Sequence, residues 1–122
     1  MNIDWNDSEP IYLQLKERLI TRLLNGEVAP GEAIPSVRQV AAEYQLNPLT
    51  VGRTIQELAD EGVIEKRRGM GMYLAEGAVE KLLKSERDRF LHEEWPKTVT
   101  RMRHLGFEPE QLLAKINKGG KK

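Results

Sequence analysis

Five basic side chains between residues 34 and 74, namely Arg38, Arg53, Lys66, Arg67 and Arg68, offer the clearest chemistry in this chain. Cations beside small residues, here Gly69 and Gly71, suit contact with phosphate: the charge neutralises the anion and the glycine lets the backbone approach it. Arginine adds a planar donor fork that matches O6 and N7 of a guanine together. No catalytic set accompanies them. The two histidines, His92 and His104, lie 12 residues apart, which on one helix separates them by about 18 Å and about 120°. They cannot share a metal within one chain, which leaves only an intersubunit site or one completed by Glu93 or Glu94. The absence of cysteine rules out disulfides, thiol catalysis and cysteine-rich zinc sites. Gly69-Met70-Gly71 lacks the lysine and helix that follow a nucleotide-binding phosphate loop. No cofactor, metal or enzymatic activity is expected.

The elements that must position these residues are legible from periodicity. Residues 10–25 read as a helix: Pro10 suits a first turn, and Ile11, Leu15, Leu19, Ile20, Leu23 and Leu24 recur at three- and four-residue spacings. Asn25-Gly26 ends it and Pro30-Gly31 marks a turn. Ser36 caps a second helix over 36–45, and Asn47-Pro48 opens a third that stops at Gly62. Two extended runs follow, 63–66 and 72–74, joined through Arg67-Arg68-Gly69-Met70-Gly71 as a hairpin. From Ala78 to about Leu105 the pattern is helical again, with Pro96 expected to kink or split it. A last helix spans about 109–117, and residues 119–122 form a disordered tail. The fold class is mainly α with a small β-hairpin.

The chain has 122 residues with 19 basic and 19 acidic side chains, and a net charge of zero seems to disfavour a nucleic-acid binder. Placement changes that inference. Residues 1–77 carry 8 basic and 12 acidic groups, and residues 78–122 carry 11 and 7, so the composition shifts near Gly77. Domains are therefore expected at 1–77 and 78–118. No apolar run approaches a membrane span and the first residues lack signal-peptide character, so a cytoplasmic protein with no membrane partner is expected.

Three helices and a hairpin match a winged helix-turn-helix, and particular residues sharpen this. Pro10-Ile11-Tyr12-Leu13-Gln14-Leu15, Pro30-Gly31, Ile34-Pro35-Ser36-Val37-Arg38-Gln39-Val40-Ala41, Asn47-Pro48-Leu49-Thr50-Val51-Gly52-Arg53, Glu61-Gly62-Val63-Ile64 and Arg68-Gly69-Met70-Gly71 occur in the order and spacing of one family. Over residues 10–74 the sequence resembles the bacterial GntR transcription regulators. The short remainder is similar to their YtrA-like subfamily, whose C-terminal helices dimerise. The resemblance implies a homodimeric, sequence-specific DNA-binding regulator, a repressor at an inverted-repeat operator, controlling a transporter operon.

On that reading the third helix presents Asn47, Pro48, Leu49, Thr50 and Arg53 to the major groove. Asn47 and Thr50 can donate to phosphate, Leu49 can meet a thymine methyl, and Arg53 can meet a base or a phosphate. The resemblance gives Arg38 the reading of a guanine, and Ser36 can cap its helix while touching phosphate. Lys66, Arg67 and Arg68, with Gly69 and Gly71, form the wing at the minor groove. Tyr12 and Gln14 are expected to pack the first helix or the dimer. Leu83, Phe90, Leu91, Trp95, Val99, Met102, Leu112, Leu113 and Ile116 are the expected dimerisation residues. Double-stranded DNA and a second copy of the chain are the expected partners; no residue identifies a small-molecule effector. The competing reading is a winged-helix protein-interaction module without specific DNA binding, and the neutral charge is its best support.

Overall fold

The structure is a computed structural model that describes residues 5–119, with side chains described as far as Ile116. It contains helices α1 (Ile11–Leu24), α2 (Val37–Tyr44) and α3 (Pro48–Asp60), then strands β1 (Ile64–Arg67) and β2 (Gly71–Leu74). Helix α4 (Ala78–Arg89), a π-helical turn (Phe90–Glu94), α5 (Trp95–His104) and α6 (Pro109–Gly119) follow. The expected tail lies outside the described residues except for Gly119, which closes α6.

Two compact units are present, one ending at Leu83 and the other beginning at Lys84. This division lies six residues beyond the composition shift at Gly77. Ala78 and Leu82, on the first turns of α4, are buried in the same apolar cluster as Leu15, Ile20, Leu23, Val40, Val51, Ile55, Leu58, Ile64 and Leu74. Charge follows the solvent-exposed side chains, whereas a compact unit is bounded by its apolar ones.

Local chemistry sets the helix ends of the first unit. Ser36 and Gln39 form a reciprocal capping box: Gln39 N donates to Ser36 Oγ at 3.1 Å and Ser36 N to Gln39 Oε1 at 2.8 Å. Asn47 Oδ1 accepts from Leu49 N at 2.8 Å, with Pro48 starting α3. Between these helices Gln45 takes φ 56° and ψ 49°, a left-handed turn that glycine usually occupies. It stops α2 and lets α3 leave at a new angle. Thr54 is fully buried, and its hydroxyl donates to Tyr12 O at 2.8 Å, which ties α3 to the first turn of α1.

β1 and β2 pair antiparallel, with Ile64 opposite Leu74 and Arg67 opposite Gly71. Gly69 and Gly71 have φ of +75° and +105°, so the three-residue tip needs residues without a Cβ penalty. Residues 31–34, where the sequence marks only the Pro30-Gly31 turn, lie along the other edge of β2. Gly31 N donates to Leu74 O at 2.8 Å, Leu74 N to Glu32 O at 2.9 Å and Ile34 N to Met72 O at 2.9 Å. This covers an edge that would otherwise be open to stray pairing.

In the second unit the helix passes through Pro96 without splitting. Proline lacks the N–H of the ladder and crowds the carbonyl four residues back. The π turn absorbs this: Trp95 N donates to Phe90 O, five residues back, and α5 resumes with proline in its first turn. Residues five apart lie about 140° apart on an α-helix. The wider turn instead stacks Phe90 and Trp95, with ring centroids 6.2 Å apart and planes inclined by 29°.

Candidate nucleic-acid interface

The ion pairs of the first unit separate two groups of cations. Lys16 lies 3.3 Å from Glu57 and also pairs with Glu61. Arg22 Nε pairs with Glu27 at 2.8 Å and Nη1 with Glu43 at 3.2 Å. Burial opposes the charge on Arg22, but its hydrogen bonds to Glu27 and Tyr44 outweigh this and raise its pKa. Glu43 near the end of α2, and Glu57 and Glu61 near the end of α3, are thus engaged by cations of α1.

The five cations singled out in the sequence are treated differently. Arg38, on the first turn of α2, and Arg68, at the hairpin tip, are exposed and make no hydrogen bond or ion pair with any described residue. Arg53 meets a phenol: its guanidinium carbon lies 3.7 Å from the Tyr12 ring centroid and Nη2 donates to Tyr12 Oη at 3.0 Å. Lys66 meets the neutral Gln56 amide. Arg67 alone meets a carboxylate, Glu65 at 2.8 Å, while stacking 3.9 Å over Tyr73. Four of the five therefore keep their charge uncompensated by any carboxylate among the described residues.

The sequence-predicted contacts fall on a few surfaces. Leu49, Thr50 and Arg53 line one open groove with Ile11 and Tyr12. Leu49 is 82% exposed, an apolar side chain held in solvent where no core requires it. Leu49, Gly52, Arg53 and Gln56 share one stripe of α3 by their spacing. Ser36 Oγ serves the cap as an acceptor and retains its O–H as a donor, so both roles expected of it are compatible. Asn47 likewise uses its Oδ1 in capping and keeps its amide donors. Arg38 and Arg68 are joined to no other member of the set. Two partners escaped the sequence reading, Tyr12 for Arg53 and Gln56 for Lys66. They lie 41 and 10 residues from those cations, beyond any local pattern.

Among the described residues no group of three or more His, Asp or Glu side chains could hold a metal ion. A cavity of about 140 Å³ inside the first unit is walled by aliphatic residues including Leu19, Leu23, Val28, Val40 and Ile55. Its two charged lining residues, Arg22 and Glu27, already pair with each other.

Residues 11–74, the span that carries these groups, match the bacterial regulatory proteins of the gntR family. The chain belongs to the gntR family. The likeness extends past the winged helix. The HTH-type transcriptional regulator YhcF of Bacillus subtilis is 35% identical over 116 residues, covering 95% of this chain and 94% of its own. The HTH-type transcriptional repressor YtrA of the same organism is 34% identical over 128 residues, covering 100% and 98%. Among solved structures, a GntR family transcriptional regulator from Listeria monocytogenes superposes with a TM-score of 0.77 at 28% identity, covering 95% of this chain and 100% of that one. This gntR member is thus a DNA-binding regulator and not an enzyme.

The dimerisation residues expected from sequence differ in their exposure. Phe90, Leu91, Leu113 and Ile116 are 47 to 65% exposed, and Leu105 joins them at 57%. Trp95, Val99 and Leu112 are half-buried. Met102, by contrast, is buried within the single chain, so its side chain is not free for a partner. Leu83 is exposed but belongs to the first unit. Among the described residues no helix is long and apolar enough to cross a membrane.

Proposed function

We propose that this gntR member acts as a homodimeric transcriptional repressor that binds an inverted-repeat operator. On the family resemblance its target is a transporter operon. The observation that carries the DNA-binding face is the sorting of charge. Carboxylates neutralise Lys16 and Arg22, while among the described residues Arg38, Arg53, Lys66 and Arg68 are left without one. A chain of zero net charge thereby presents a locally positive reading surface. Repressor function is supported by the full-length likeness to YtrA, and dimerisation by the exposed apolar residues of the second unit. Two-fold symmetry would place the half-sites about one helical turn apart.

Selection from random duplexes followed by a salt titration of the winning site tests this reading. If Lys66, Arg67 and Arg68 of each subunit neutralise phosphates, the log–log slope of affinity against salt should be on the order of −5. Light scattering at micromolar concentration should return twice the 14.0 kDa chain mass. A flat salt response without a selected sequence would favour the protein-interaction module instead, and a monomer would remove the symmetry argument.

A further inference from the structure

Tyr12 stands outside the helix-turn-helix and the wing, yet it holds a reading side chain. Its ring lies flat enough beneath Arg53 to place the guanidinium carbon 3.7 Å from the ring centroid, and its hydroxyl accepts from Nη2 at 3.0 Å. Its own backbone is fixed to α3, because the buried Thr54 donates to Tyr12 O at 2.8 Å, one residue along the helix from Arg53. The brace and the arginine therefore move with one element.

From this geometry we infer that Tyr12 is a positioning residue for sequence reading: it sets Arg53 in the orientation that contacts a guanine. The inference rests on the DNA-binding reading above. A free arginine on an exposed helix must give up rotamer freedom when it docks on a base edge. Stacking on Tyr12 removes much of that freedom beforehand, and cation–π attraction favours the charged group without neutralising it. One of five guanidinium donors is used by the phenol, which leaves enough for the paired contact to O6 and N7. Had a carboxylate held Arg53, the same ordering would have cancelled the charge that DNA attracts. The groove beside it, lined by Ile11, Leu49 and Thr50, supplies an apolar wall that a neighbouring thymine methyl can occupy.

The test compares wild type, Arg53→Ala, Tyr12→Phe, Tyr12→Leu and the Tyr12→Leu/Arg53→Ala double variant on the selected operator and its single-base-pair variants. Arg53→Ala identifies the base pair that Arg53 reads. Tyr12→Leu should weaken operator binding about tenfold and lower discrimination at that base pair alone. Tyr12→Phe, which keeps the stack, should lose two- to threefold at the same place. The double variant should bind no worse than Arg53→Ala, since the brace has nothing left to hold. A loss spread evenly over all base pairs, or one that adds in full to Arg53→Ala, would make Tyr12 a merely structural residue and overturn the inference. Unchanged base preference in Arg53→Ala would overturn it too while leaving the DNA-binding reading intact. Absence of operator binding by the wild-type chain would overturn both.

Discussion

Lys66 donates from Nζ to the side-chain oxygen of Gln56, so the first strand of the wing is tied to the third turn of the reading helix. Gln56 is itself held by its Nε2, which donates to Asp60 at 2.8 Å. The two elements proposed to face DNA are thus linked to each other by side-chain hydrogen bonds. Gln56→Ala should leave stability within about 0.5 kcal/mol, because the site is exposed, but weaken operator binding several-fold by freeing the wing. Urea unfolding and anisotropy titration read the two effects separately; an unchanged affinity would show that the link orders nothing.

Among the described residues Arg38 has no hydrogen-bond or ion-pair partner to lose, so Arg38→Ala isolates the role proposed for it toward DNA. The variant should melt as wild type does and lose about 1–3 kcal/mol of operator affinity, with discrimination blunted at one base pair. Unchanged affinity together with unchanged base preference would remove Arg38 from the interface.

Much of this arrangement was legible in the sequence. Capping signals at Ser36 and Asn47-Pro48 and the glycines of the wing fix backbone over a few residues, and those elements fell where local chemistry placed them. The features that were not legible depend on groups brought together by folding. Gln45 carries no local mark of its left-handed turn, and residues 31–34 find their partner in β2 some forty residues later. Arg53 was open between base and phosphate because nothing near it in sequence announces Tyr12. Pro96 announced a disruption correctly, but whether a helix kinks, splits or widens into a π turn is decided by the packing of the residues on either side.

Gly52 lies on the outward stripe of α3, and a Cβ built there meets nothing within 4 Å. The fold therefore does not require glycine. Gly52→Ala should stabilise the helix by about 1 kcal/mol, visible as a rise of several degrees in Tm. If the missing side chain lets the backbone come close to a base edge, the same variant should bind its operator at least fivefold more weakly. A variant that is stabler and binds equally well would make Gly52 a tolerated helix defect.

Lys16 couples α1 to α3 through Glu57 and Glu61. Burial disfavours its charge, but the hydrogen bonds and charges of the two carboxylates prevail and lift its pKa above 10.5. A lysine raised in the folded state stabilises fully below its unfolded value and loses that contribution as pH rises through the folded one. Lys16→Met should therefore cost up to about 1 kcal/mol at pH 8, with wild type and variant converging as pH climbs past 10.5. Urea unfolding at pH 8 and pH 11 tests this; a constant difference would place the contribution in packing of the aliphatic stem.

Pro96 is the reason Phe90 and Trp95 share a face. Pro96→Ala restores an N–H that can donate to His92 O and removes the ring that crowds it. The π turn can then anneal to α-helix, which turns the residues beyond it by about 100° per position of slip. Phe90 and Trp95 would then lie about 140° apart, and the exposed apolar surface at the turn would be divided. Far-ultraviolet circular dichroism should show equal or greater helicity in the variant, because alanine is the better helix former by about 3 kcal/mol. Sedimentation should nevertheless show the proposed dimer weakened about tenfold or more. Helicity and self-association moving in opposite directions is the outcome that only a functional π turn gives; unchanged dimerisation would mean that the turn merely accommodates its proline.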